Sequence, residues 1–375
     1  MMSRRLALVL FLARLIRKPL PIIGVAIIAI IISTNLISCS DNEEATFISL
    51  DENTPLDDTI FTFTEEGGEK TISFKFNDKE WAVFPLYQAT NWVSYTPKQG
   101  NTGDNTITFK ILKNIGPYRR YDFTLASVND GSKSCCITIQ QEEADDISGV
   151  YTINMEAGTL PGIISEEYDY ISKITKLTLK GNLNGTDILL LRKMLCELSG
   201  VYYGALSVLD LSNANIVEGG EDYDAAHNVE HYTSNDEIGE SMFAFSFVNA
   251  TDVLTSIILP NSIKVIGSYA FQGREKLTSI IIPNNVTTIG DNAFYNCTKL
   301  TSLVIGEKVK EIGEWAFKAT KLKEIHIKAL APPTIEHDTF SDYAYSSATL
   351  YVPKGSKKVY QNANVWKEFH NIIEE

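Results

Sequence analysis

Cysteine and histidine are scarce in this chain of 375 residues, with five of each. Cys39, Cys135, Cys136, Cys196 and Cys297 form no disulfide framework and have no spacing suited to zinc or an iron–sulfur cluster. Cys135 and Cys136 are adjacent in a strand-like run, so their side chains should face opposite ways. Positive charge is also short. The 33 Lys and Arg stand against 47 Asp and Glu, a formal net charge of −14, which leaves no electrostatic case for nucleic acid as a partner. No Gly-rich phosphate loop and no G-x-S-x-G elbow appears. The sequence points to no enzyme and to no cofactor.

What the chain does have is a repeat. LTSIILPNSIKVIGSYAF from Leu254, LTSIIIPNNVTTIGDNAF from Leu277 and LTSLVIGEKVKEIGEWAF from Leu300 recur every 23 residues, and Phe271, Phe294, Phe317 and Phe340 keep that spacing. Periods in the twenties mark leucine-rich-repeat solenoids. In the unit from Leu277, Ile280 and Ile282 supply the inward residues of a short strand, and Pro283 and Asn284 end it. Val286, Ile289, Ala293 and Phe294 return to the core, Gly290 is expected at a tight turn, and Asp291 is expected to cap a short helical turn. Seven such residues contribute roughly 10–20 kcal/mol when buried. Ordering the unit's backbone costs about 1–2 kcal/mol per residue, so a single unit cannot fold without neighbours.

Weaker units extend the array to five or six, over about 170–375. They begin at Leu322, at Leu206 and at Ile174, and GTDILLLRKMLCELSG reads as a helix with Thr186 or Asp187 as N-cap. Tyr360, Trp366 and Phe369 suit a C-terminal cap. Cys297 reads as a small core residue beside Gly273 and Ala319 of the neighbouring units. The IG-x-x-AF core at this period resembles the BspA-like branch of leucine-rich repeats, found on bacterial cell surfaces. That resemblance implies surface binding or adhesion.

Upstream, over 46–142, the periodicity is two: TIFTF, KTISFKF, NTITFKIL, YDFTLASV and SCCITIQQ alternate between turn signals. This pattern predicts a small β-sandwich. The order Gly67-Gly68, Trp81, Trp92, Pro97-x-x-Gly100, Arg119-Arg120 and Ile137-x-Ile139-Gln140 resembles the BACON domain. The resemblance implies an immunoglobulin-like sandwich and either a carbohydrate-binding or a spacer role. Trp81 and Trp92 are expected in its core; Tyr87, Tyr95 and Tyr118 are the candidates for stacking on sugar. The fold expected is therefore mainly β, an immunoglobulin-like β-sandwich over 46–142 followed by a leucine-rich-repeat solenoid over 171–375. Residues 143–170 are read as linker and N-terminal cap, with Ile163, Ile164, Tyr168 and Tyr170 covering the open end of the array.

Residues 1–38 carry Arg4, Arg5, Arg14, Arg17 and Lys18, no acid, and a long apolar run that ends at Cys39. This is the pattern of a secretory signal. Leu36-Ile37-Ser38-Cys39 resembles a lipobox, which implies cleavage and acylation at Cys39; an uncleaved membrane anchor is the alternative. Residues 39–45 form an acidic tether, and Ser40-Asp41-Asn42-Glu43-Glu44 resembles a signal for export to the outer face of the outer membrane. Without residues 1–38 the charge falls to about −19, from 28 Lys and Arg against 47 Asp and Glu. Anionic head groups would repel such a chain, so anchoring falls to lipid. The expected location is the surface of a Gram-negative outer membrane.

Two further patterns bear on function. His227, Glu230 and His231 match the inverted zincin motif H-x-x-E-H, which needs a regular helix to bring both imidazoles to one metal. They lie in a polar insertion, so a metal-dependent hydrolase is the remotest reading. In the repeats, the outward strand positions make two ladders on the expected concave face: Ser256, Ser279, Ser302 and Glu324 beside Ile258, Ile281, Val304 and His326. The second is an apolar stripe suited to a partner. The leading expectation is a non-catalytic surface lipoprotein binding a host or neighbouring-cell glycan or protein, with a structural spacer of an outer-membrane assembly as the alternative.

Overall fold

The computed structural model describes residues 48–49, 59–85, 91–130, 134–144, 149–164, 171–198, 204–224, 230–245 and 250–375. The fold is mainly β. In the N-terminal unit the strand order is Thr59–Phe63, Ser134–Gln141, Arg119–Ser127, Gly68–Pro85, Gln99–Ile111 and Val93–Thr96, with Ile48–Ser49 also pairing onto Gly68–Pro85. Every pairing is antiparallel except that of Thr59–Phe63 with Ser134–Gln141. Hydrogen bonding runs unbroken through these strands, so it does not express the expected division into two sheets. Strand Gly68–Pro85 shifts register between Phe76 and Glu80 and then pairs with Arg119–Ser127 as well as with Gln99–Ile111. The expected alternation holds: Ile72, Phe74 and Phe76 are buried, while the residues between them are exposed.

Trp81 is buried at the centre of this core, against Phe74. A Cβ at Gly100 would come within 2.6 Å of the Trp81 indole, which explains the glycine of the Pro97-x-x-Gly100 pattern. Trp92 is half-buried beneath the Arg119 guanidinium, 4.4 Å from its ring centroid. Arg119 also donates to the carbonyls of Leu112, Lys113 and Gly162, and Ile115 N–H donates to Ile163 O. These contacts fasten the N-terminal unit to the repeat array. Burial pulls the Arg119 pKa down to about 9, so the group is still cationic at neutral pH.

The array is built on parallel strands. Val150–Met155, Lys176–Leu183, Val208–Ile216 and Ser256–Ile258 form one sheet; Ser279–Ile281, Ser302–Ile305, Glu324–Ile327, Thr349–Val352 and Asn371–Glu374 form the next. Together they make a first ladder. Strands Ser256–Ile258 and Ser279–Ile281 lie side by side, yet no strand pairing joins them. A second ladder of two-residue strands, Glu237–Ile238, Val265–Ile266, Thr288–Ile289 and Glu311–Ile312, runs alongside. Val150–Met155 falls in the stretch read as linker from sequence, and it pairs in parallel with Lys176–Leu183.

The inward apolar positions of the repeats are buried. Phe243, Phe271, Phe294, Phe317 and Phe340 stack face to face, with centroids 5.0–5.5 Å apart and planes within 18°. Trp366 and Phe369 meet the last ring, Phe340, at 5.8 and 5.5 Å and close the stack. The buried polar tips of this cap are satisfied, because Trp366 Nε1 donates to Pro333 O and Tyr360 Oη to Ala329 O. In the cap, helix Lys357–Asn362 carries Tyr360 and a 3-10 turn at Trp366–Glu368 carries Trp366, and Asn371–Glu374 follows as a final strand.

Four local expectations are corrected. Gly290 has no left-handed backbone; a Cβ there would sit 2.5 Å from Ser268 N of the preceding repeat, so glycine permits close stacking. Asp291 does not cap its own turn, since its Oδ1 accepts Glu314 N–H of the next repeat at 2.8 Å. The helix Gly185–Met194 is capped by Asn184, and Asp187 takes the reciprocal position of a capping box. Cys297 is a core residue, but its repeat partners are Arg274 and Thr320, all buried; Gly273, Asn296 and Ala319 share the preceding position, each with positive φ.

Candidate functional site

Strand register places the two outward rows side by side. Ile281, Val304, His326, Tyr351 and Ile373 are consecutive Cα partners, and Ser279, Ser302, Glu324, Thr349 and Asn371 form the neighbouring row. Ile258 and Ser256 pair instead with Asp210 and Val208, in the upstream sheet. Ile281 is 62 % exposed and Ile258 is 48 % exposed, so the stripe is open surface and contributes nothing to the core. Val304 and His326 are half-buried. The His326 ring stacks on Tyr351 at 4.3 Å with planes 6° apart, and its Nδ1 lies 2.9 Å from Glu375 Oε1.

Tyr351 and Ile373 were missed from sequence. Their units depart from the 23-residue spacing, so alignment on the repeat did not reach them. The signal was present, however, in the alternation of TLYV and NIIE.

The insertion before Ile238 is held by buried charge. Arg192 donates to Asp224 Oδ1 at 2.6 Å and to the carbonyls of Ser241 and Met242. Arg274 donates to Asp252 Oδ1 at 2.9 Å and to the carbonyls of Phe243 and Leu195. Each guanidinium meets one carboxylate and two carbonyl oxygens, which is what makes its burial tolerable. Burial lowers the Arg192 pKa, and neighbouring Asp224 opposes that shift.

Of the H-x-x-E-H segment only Glu230 and His231 are described, and neither lies in a helix. His231 to Thr233 run along an isolated bridge between Thr233 and Gly219. Glu230 Oε2 accepts the Tyr232 hydroxyl, and the His231 ring lies 5.8 Å from Tyr223. Hydrogen bonds from His231 and Asp224 N–H groups hold the Asp222 carboxyl below its usual range. No group of three or more metal-ligating side chains occurs among the described residues. His227 lies outside the described residues, as do Cys39 with the whole leader, Tyr87, Tyr168 and Tyr170.

In the N-terminal unit, Tyr95 packs edge-on against Phe123 at 4.9 Å, and burial raises its pKa. Its ring is half-buried and packs against the core. Tyr118 is exposed and its hydroxyl bonds Gln140 Oε1 at 2.9 Å. The structure therefore does not bring these two tyrosines together into a platform.

Comparison with known proteins supports the repeat reading. Residues 236–367 match the family model of the BspA type leucine rich repeat region, in six copies. These residues are BspA-type leucine-rich repeats, in keeping with the parallel ladders. No curated protein matches the chain. Among solved structures, the chain is similar to the pneumococcal vaccine antigen PcpA at 19% identity and a TM-score of 0.32, over 63% of this chain and 62% of that one. It is also similar to a Bacteroides ovatus GH5 xyloglucanase in complex with a XXXG heptasaccharide, at 16% identity and a TM-score of 0.20, over 24% of this chain and 18% of that one. The chain thus spans less than two thirds of either structure.

Proposed function

We propose that the chain is a non-catalytic cell-surface protein that binds a host or neighbouring-cell ligand, glycan or protein, through the outward face of its first ladder. One observation carries this reading: a mostly apolar row, Ile281, Val304, His326, Tyr351 and Ile373, exposed at its two ends, lies in register beside the polar row Ser279, Ser302, Glu324, Thr349 and Asn371, across five strands. Apolar side chains flanked by small hydroxyl and amide groups combine contact area with directional bonding. The leader and Cys39 support attachment by lipid at the outer membrane, on sequence grounds. Tight fastening of the N-terminal unit by Arg119 supports a spacer role for that unit.

The test compares the full chain with the Ile258→Lys/Ile281→Lys variant on a glycan array and on immobilised host surface proteins. Both positions are exposed, so the variant should keep its circular dichroism and melting temperature. Binding should weaken at least tenfold. A variant that binds as well as the parent removes the stripe from the site. If the parent binds neither kind of probe, the structural spacer reading takes precedence.

A further inference from the structure

The turn after each strand of the second ladder holds one residue in the left-handed region. In the regular repeats this residue is Tyr269 at φ 60°, Asn292 at φ 58° and Trp315 at φ 60°. Such a backbone suits Asn or Gly, and a bulky side chain there is strained. Burial does not compensate. Tyr269 is 37 % exposed and Trp315 is 40 % exposed. The Trp315 ring lies 5.8 Å from Tyr295 of the preceding repeat, at 32°. Three successive repeats thus each present one aromatic ring on the same run of turns, and two of the three stand on a backbone for which the intervening repeat uses Asn.

The advance per repeat, read from the Phe271, Phe294 and Phe317 stack, is 5.0–5.2 Å. That is comparable to the length of one hexopyranose unit in a linear chain. Asp291 and Glu314 are exposed beside the rings and Asn292 is half-buried among them. Flat apolar rings with nearby hydrogen-bonding groups suit the two kinds of surface a pyranose presents. The carboxylates disfavour anionic sugars, and a narrow row edged with acids disfavours a broad apolar protein contact.

We propose that Tyr269, Tyr295 and Trp315 form a stacking platform for a neutral linear glycan running along the repeat axis. This site is separate from the outward strand face and does not depend on it.

The chain carries its own reporter. Of its four tryptophans, Trp81 and Trp366 are buried and Trp92 lies beneath Arg119, which leaves Trp315 as the open one. The full chain is titrated with neutral hexasaccharides of β-linked glucose, mannose, galactose and xylose, with oligogalacturonate as the anionic comparison. At least one neutral saccharide should blue-shift the tryptophan emission and protect it from acrylamide. Calorimetric affinity should fall at least tenfold in Trp315→Asn and in Tyr269→Asn. Neither variant should unfold, because Asn292 already occupies the equivalent position; their melting temperatures should equal or exceed the parent's. The proposal is overturned by silence with all the neutral saccharides, by a response to the anionic one alone, or by undiminished affinity in both variants.

Discussion

Gly290 offers the sharpest test of how the repeats are held together. A methyl group at its Cα would lie 2.5 Å from Ser268 N, 2.8 Å from Gly267 C and 3.0 Å from Ser268 Cα. Ordinary contact would require these backbones to part by roughly 1 Å. They are tied by the Gly290 N–H to Ile266 O bond at 2.7 Å, and the adjacent Phe271–Phe294 stack stands at 5.0 Å. Relief therefore stretches a hydrogen bond and opens a packed ring pair together. Overpacking of this kind costs about 1–3 kcal/mol. At about 2–4 °C per kcal/mol for a unit of this size, Gly290→Ala should melt roughly 2–12 °C lower. The assay is thermal and urea unfolding followed by circular dichroism. Gly290→Asn separates the two explanations for the glycine. Asn would rescue a left-handed turn, whereas under close stacking its larger side chain is at least as harmful as Ala. An Asn variant as stable as the parent would refute the stacking argument.

Other expectations concern the core and the insertion. Phe294→Ala, which removes a fully buried ring from the middle of the stack, should cost about 3–5 kcal/mol in urea unfolding. Arg274→Met strands the Asp252 carboxylate in the interior and should cost about 3–5 kcal/mol, with part recovered in Arg274→Met/Asp252→Asn. The Asp222 carboxyl, held below its usual range by the His231 and Asp224 N–H groups, contributes stability that is present above the unfolded carboxylate pKa and lost as pH falls through its folded value. Asp222→Asn should therefore flatten the acid limb of the urea midpoint against pH, and an unchanged limb would remove Asp222 from that account.

The sequence showed the periodic part of this fold well. Leu277, Ile280, Ile282, Val286, Ile289, Ala293 and Phe294 were all read as inward and all are buried, because a strict repeat reports its core directly. Legibility fell where one position does a different job in different units. Arg274 and Cys297 occupy the same repeat position, yet one is an ion-paired guanidinium and the other a small thiol. Charge normally reads as surface, so nothing in the local pattern marked Arg192 or Arg274 as buried. Backbone sign was equally hidden: Gly290 looked like a turn glycine and has an ordinary φ, whereas Trp315 looked unremarkable and is left-handed. The unit at Ile174 was legible as strand Lys176–Leu183, but its neighbour Val150–Met155 carries no repeat spacing and was read as linker. At the candidate site, the Ile281–Val304–His326 register was legible, and its break beside Ile258 was not.

That break has a mechanical consequence. Between Ser256–Ile258 and Ser279–Ile281 the first ladder is unstitched, while the second ladder continues through Val265–Ile266 and Thr288–Ile289, and the phenylalanine stack continues through Phe271 and Phe294. One edge of the array is therefore joined by strand pairing, and the other by packing and by the Asp252 contacts with Arg274 and Lys276. Bending there would swing Ile258 relative to Ile281 with the ring stack as its pin, so a ligand spanning both would set the angle between the two halves. Amide exchange at Ser279 and Ile281, whose N–H groups face the unpaired side, faster than at the equivalent Ser302 and Val304 and slowed by such a ligand, would reveal the joint; equal protection throughout would show it to be rigid.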